Sequence, residues 1–241
     1  MQIQDIPGYT FEFKNAPWET RESLHYRFHY LRNSLAEKEI KDIERAQESA
    51  YEKITRFLDV PSYPEKKIDY YLYPDTETKK KMMGNDWFAQ SVYDDFAVHA
   101  LYSEDHRVIG PHEDTHLLSL PLGLSIGFLQ EGLAEYMVGH SWYGETFEKV
   151  VREARLNPEF IPSKDLLTAH QAWRDTKDEY AQQYYALAAL FTSFLITTYG
   201  KGKYLELYRA LARDVTQSEN ERQYVEMLGG IPADVFTKFM Q

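Results

Sequence analysis

From Leu24 to Leu31 the chain alternates, with Leu24, Tyr26, Phe28 and Tyr30 on one face and His25, Arg27 and His29 on the other. That period of two predicts a half-buried strand whose histidines face solvent. The two imidazoles lie four residues apart, about 13 Å along a strand, too far to share an ion. From Ser34 to Leu58 the period lengthens, and Ile40, Ile43, Ala46, Ala50, Ile54 and Phe57 form the stripe of an amphipathic helix. Its intervening acids and bases, from Glu37 to Asp42, read as a solvated face, and Pro61-Ser62-Tyr63-Pro64 stops it. Ile68 to Tyr73 predicts a second strand, and Pro74-Asp75-Thr76 opens a short Lys-rich helix. Residues 87–92 and 96–102 read as two short strands, a hairpin through Asp94-Asp95. Residues up to about Ser23 show neither period and are expected to form an irregular surface arm. Beyond His140 only helical patterns remain, over 146–156, 163–173, 179–199, 203–214, 220–228 and 232–240. Gly200 and Gly202 close the longest of them.

The expected class is α+β. A mixed α/β lobe over 24–118 has a small sheet against its last helix, and an all-helical lobe follows over 119–241. No period repeats, so 1–241 reads as a single catalytic unit with one active-site cleft between the lobes.

The chemistry sits where the two patterns meet. His112-Glu113-Asp114-Thr115-His116 follows Gly110-Pro111, and a proline suits the first turn of a helix, where its missing N–H costs nothing. Residues four apart on a helix share a face, so both imidazoles can reach one ion, with Glu113 beside them to hold a water. Two His leave a tetrahedral zinc site one protein ligand short. Glu131 is the best candidate for it, in Phe128-Leu129-Gln130-Glu131-Gly132-Leu133-Ala134-Glu135-Tyr136. The helix carrying it is expected to end near Gly139. Asp114 reads as an outward-facing acid near a helix N-terminus. His99, His106, His140 and His170 have no partner at ligand spacing and read as structural or exposed.

Composition narrows the reading. A net charge of −11 argues against binding a nucleic-acid backbone or an anionic membrane. With no Cys, any metal must use His and carboxylate. The apolar stretches 117–129 and 185–199 are broken or short and read as buried core, so a soluble protein is expected. The first residues carry neither a basic nor an apolar leader region. The expected location is the cytoplasm if the chain is full length, and outside the cell if an export signal has been trimmed. Oligomeric state is not legible.

H-E-x-x-H followed by a hydrophobic loop and L-x-E-G-x-A-x-Y resembles the gluzincin metallopeptidases: thermolysin, the membrane alanyl aminopeptidases and above all the small bacterial peptidase MA-like domains. The likeness runs from about His25 to the C-terminus, and it implies a zincin-like fold and one zinc per chain on His112, His116 and Glu131. In the aminopeptidases eighteen residues separate the second His from the ligand Glu, which here falls on Glu135. The local context, Glu then Gly then Ala, selects Glu131, and Glu135 stands as the alternative. The resemblance otherwise gives Glu135 a supporting role, with its carboxylate on His112. Residues 179–191 and the pair Tyr199-Gly200 resemble the family's Tyr-bearing helix. Matching Phe191 to the family's Phe places the oxyanion-stabilising hydroxyl on Tyr185, with Tyr184 next.

The implied activity is hydrolysis of peptides or unfolded protein segments, with Glu113 as general base. The alternative is a silent or non-proteolytic zinc module of the same fold, against which an intact Glu113 speaks. Endo- and aminopeptidase action both stay open. The counterpart of the aminopeptidases' G-x-M-E-N strand, Trp87-Phe88-Ala89-Gln90-Ser91, lacks the N-terminus-binding Glu, and so leans towards endopeptidase action.

Overall fold

The computed structural model describes residues 9–60 and 66–241, which separate into two compact units, one ending at Leu118 and the other Ser119–Gln241. The stop at Pro61-Ser62-Tyr63-Pro64 lies outside the described residues, as do the first eight residues of the expected arm.

The first unit is built on a five-stranded mixed sheet. Its strands are β1 (Trp18–Glu22), β2 (Tyr26–Leu31), β3 (Ile68–Tyr73), β4 (Ala89–Val92) and β5 (Ala97–Leu101), in spatial order β1-β2-β3-β5-β4. The three central strands run parallel, and β1 and β4 pair antiparallel at the edges. The helices here are α1 (Phe11–Lys14), α2 (Leu35–Leu58), α3 (Thr76–Met83) and α4 (Pro111–Leu118). Ser34 caps α2 by accepting the Glu37 N–H, and Asp75 caps α3 through Thr78. Tyr26, Phe28, Tyr70, Leu72 and Val98 are almost wholly buried, each contributing on the order of 1.5–3 kcal/mol of burial. Against the sheet lie α2, on β2, and α4, on β4 and β5.

The expected arm is a correction. Residues 11–14 form α1 and residues 18–22 pair with β2 in full register from Trp18 opposite Leu31 to Glu22 opposite Arg27. Phe13 and Trp18 pack on Tyr71 of β3, with ring centroids at 4.9 and 5.4 Å. An edge strand reading Trp-Glu-Thr-Arg-Glu carries charges that discourage further pairing, and those same charges hide its period. Nor do His25, just before β2, and His29, within it, stand in solvent. His25 stacks on Tyr51 and pairs with Glu48 at 2.6 Å, while His29 stacks on Tyr71 and pairs with Asp69 at 2.7 Å.

The second unit is helical: α5 (Gly127–Val138), α6 (Phe147–Ala154), α7 (His170–Arg174), α8 (Ala181–Tyr199), α9 (Lys201–Ala210), α10 (Gln217–Leu228) and α11 (Pro232–Met240), with short 3-10 turns between. Its centre is the pair α5 and α8. Gly132 makes that approach possible, since a Cβ there would sit 2.5 Å from the Ala188 carbonyl oxygen. The expected helix over 163–173 divides into a 3-10 turn, Lys164–Leu167, and α7. Between them the Thr168 carbonyl accepts from the Asn220 amide at 2.9 Å, a tertiary bond no local pattern announces.

Candidate metal centre

Pro111 opens α4 and His112, Glu113, Asp114, Thr115 and His116 follow within it. Gly110, at φ +119, turns the chain into the helix in a region side chains avoid, and its N–H donates to Gln47 Oε1 at 2.6 Å. Thr115 turns its hydroxyl back onto the Pro111 carbonyl at 2.6 Å. The His112 and His116 rings stand 5.0 Å apart at 82°, one turn apart on one face. Glu113 is half-buried beside them.

Asp114 does not face outward. It is wholly buried, and its Oδ2 accepts from the Tyr26 hydroxyl at 2.5 Å and from Gln47 Nε2 at 3.0 Å. Tyr26 also donates to the Gln47 carbonyl at 3.0 Å. Burial pushes the Asp114 carboxyl up to about 8, against the pull of the Tyr26 hydrogen bond, with the Glu113 charge adding to the rise. One residue of α2 thus holds both the entry to α4, through Gly110, and its first turn, through Asp114. Position alone misled the sequence reading, because position three of H-E-x-x-H turns towards α2 rather than solvent. The missed signal was Gln47, an amide at helical spacing between Ile43 and Ala50 on the apolar stripe.

The start of α5 is set by another histidine. Gly127 donates its N–H to His170 Nδ1 at 3.0 Å. Burial, with Arg213 and Arg174 nearby, holds that imidazole below its usual value and so neutral, as an acceptor must be. Glu131 and Glu135 follow one turn apart on α5 and are both buried. Glu135 Oε1 accepts the Trp142 indole N–H at 3.2 Å. Tyr208 of α9 lies close by: burial pushes its phenol up to about 12, and the Glu131 charge contributes. Its hydroxyl stands 3.4 Å from Ser119 Oγ.

Tyr185 of α8 is buried, its ring between Trp142 and Trp173, with both centroids at 5.2 Å. Tyr184 turns its ring to Phe160 at 5.1 Å. His99 is buried against Tyr73 and Tyr71, while His140 is exposed and bonds the Ser141 carbonyl. Among the described residues, one group of three or more His and acids has ligand geometry. His112, His116 and Glu131 each offer an atom, and all of these lie within 4.8 Å of one another. Two imidazole nitrogens and one carboxylate oxygen on Cys-free elements match a zinc donor set with room for further ligands.

No family model matches the chain, and no curated protein does. Among solved structures it is similar to the M1 zinc metallopeptidase from Deinococcus radiodurans, at 16% identity over 92% of this chain and 50% of that one, with a TM-score of 0.50. A point variant of that protein gives 15%, 93%, 52% and 0.51. The chain spans about half the length of the structures it resembles. What the likeness shows is the fold: this chain is similar in fold to part of those structures, and it carries a candidate three-residue metal site.

Proposed function

We propose that the protein is a zinc-dependent peptidase, closest in kind to the peptidase MA-like gluzincins. The observation that carries this reading is the convergence of His112, His116 and Glu131 to within 4.8 Å in a chain whose fold matches zinc metallopeptidases. Zinc, when bound, polarises a substrate carbonyl and makes a nearby water easier to deprotonate. Glu113 takes the proton from the attacking water as its oxygen bonds to the carbonyl carbon. It then delivers that proton to the amide nitrogen as the C–N bond breaks, leaving a carboxylic acid whose remaining proton passes to the departing amine, so that the products are a carboxylate and an ammonium. Glu135, one turn beyond Glu131, supports the ligand set from α5. Tyr185 donates its hydroxyl to the oxygen on which charge develops. The substrate class is peptides or unfolded protein segments. The counterpart of the aminopeptidases' G-x-M-E-N strand, Trp87-Phe88-Ala89-Gln90-Ser91, carries no Glu, which supports internal cleavage.

The test is digestion of a mixed peptide library by the zinc-loaded protein. Cleavage should be lost on chelation, return with zinc, and fall by about 10²–10⁴ in Glu113→Gln. A zinc-loaded protein that cleaves nothing would leave the silent-module reading in its place.

A further inference from the structure

Lys79, on α3, is 0% exposed, a degree of burial that lysine almost never reaches without an ion partner. Its Nζ donates to Asn85 Oδ1 at 3.0 Å and to Gln90 Oε1 at 3.3 Å, both of them neutral amide oxygens. Among the described residues it forms no ion pair. Asp86 pairs instead with Lys80 at 3.1 Å, and Glu113 acts on Lys79 only through its charge. Burial pulls the amine down to about 8, against the pull of those two acids, so at neutral pH it still carries its proton.

Gln90, on β4, is 6% exposed and stands opposite His99 of β5. Lys79 settles which way its amide faces. An ammonium only donates, so the oxygen must meet it and Nε2 must turn away. That Nε2 is buried, and no acceptor among the described residues meets it. The ammonium has three N–H groups, of which two are spent. One lysine donor and one amide donor are thus left over, on groups joined by a single bond of 3.3 Å. His99 supplies no negative charge to them. Burial and the Lys79 charge hold its imidazole well below the usual value, hence neutral, and the Tyr73 hydroxyl engages its Nδ1 at 2.8 Å.

We propose that Lys79 Nζ and Gln90 Nε2 form a buried site for one small monovalent anion, chloride in its simplest form, which fastens α3 to the edge strand β4. Two arguments select an anion over a water molecule. A lone buried ammonium is among the costliest groups in a protein interior, and a neutral occupant leaves its charge in place. A water would also bring two hydrogens that need acceptors, while Asn85 Oδ1 is already filled by Lys79 and by the Trp87 N–H at 3.3 Å. An anion accepts from both donors and brings nothing further to satisfy. Enclosure sets its size: both donors are buried, so the occupant is monatomic or nearly so. In a chain of net charge −11 the general field repels anions, so uptake here is the work of these two side chains. The proposal stands apart from the peptidase reading.

The experiment follows the Tm of the zinc-loaded protein as chloride replaces gluconate at constant ionic strength. Chloride should raise the Tm by roughly 3–6 °C once it exceeds its Kd about tenfold. Lys79→Met removes the cation and should abolish that rise. It leaves the candidate zinc ligands in place, so an effect of chloride at the zinc would survive in it. Gln90→Glu puts a carboxylate where Lys79 Nζ already donates. Without chloride it should match the chloride-saturated wild type, and it should respond to chloride no further. Crystals of the wild type grown in bromide should show an anomalous peak within hydrogen-bonding reach of both nitrogens. If Lys79→Met does not fold, the bromide peak and Gln90→Glu decide. A Tm indifferent to chloride, a rise that survives in both variants, or a water in place of bromide at that position overturns the site.

Discussion

At the scale of single residues, Asp114 is where the site and the stability of the fold meet. Its carboxyl is buried, held by Tyr26 and Gln47, and lifted from the ordinary range near 4 to about 8. A group whose folded value lies above its unfolded value keeps its proton in the fold and loses it in the unfolded chain. The native state is therefore favoured below about pH 4, and that contribution fades as pH rises towards 8. Asp114→Asn keeps the oxygen that Tyr26 and Gln47 use and removes the titration. Between pH 5 and 8, in chelator, the wild type should lose several kcal/mol of unfolding free energy relative to Asp114→Asn, at about 1.4 kcal/mol per unit. Parallel stability curves would mean that the carboxyl titrates normally. Tyr185 is the residue whose role rests on the family likeness. Tyr185→Phe should leave zinc content and KM nearly unchanged and lower kcat by about 10², the worth of one oxyanion donor. A destabilised variant of normal specific activity would make Tyr185 a core residue wedged between Trp142 and Trp173.

At the scale of elements, the motif helices owe their placement to partners far away in sequence. His170 starts α5, Gln47 starts α4, and Gly132 sets how closely α5 lies on α8. Gly132→Ala puts a methyl 2.5 Å from the Ala188 carbonyl and 2.7 Å from Thr192 Oγ1, so the helices must part. The expected cost is about 1–3 kcal/mol of stability, read as a lower Tm, with Gly132→Ser worse. An unchanged Tm would mean that α8 yields freely. These dependencies also explain what could be read in advance. Helix α2, strand β3, the β4–β5 hairpin and the close of α5 at Gly139 were legible because hydrophobic period and end signals agree there. Strand β1 was not, because its register comes from pairing with β2 and its charges mask alternation. The break at Thr168 was not, because Asn220 makes it from 52 residues away. At the site, helix spacing brought out His112 and His116 and the local context of the family resemblance brought out Glu131, and these three are the group whose ligand atoms lie within 4.8 Å of one another. The layer behind them stayed hidden, since Tyr26, Gln47, His170 and Trp142 bear on the motifs through tertiary contacts alone.

For the whole molecule, the fold is similar to that of the solved M1 zinc metallopeptidase structures, of whose length the chain spans about half. The mixed sheet and the helical remainder follow the α+β class that the change of period near His112 implies. No helix among the described residues is long and apolar enough to cross a membrane. The central claim is that this chain binds one zinc through α4 and α5, and the most direct measurement is zinc content after purification and dialysis. Wild type and Glu113→Gln should each hold one zinc per chain. His116→Ala and Glu131→Ala should hold less than about a tenth of that, and Glu135→Ala should keep most of it with 10–100-fold weaker affinity. Zinc retained by Glu131→Ala and lost from Glu135→Ala, or a wild type that holds none, would contradict the account.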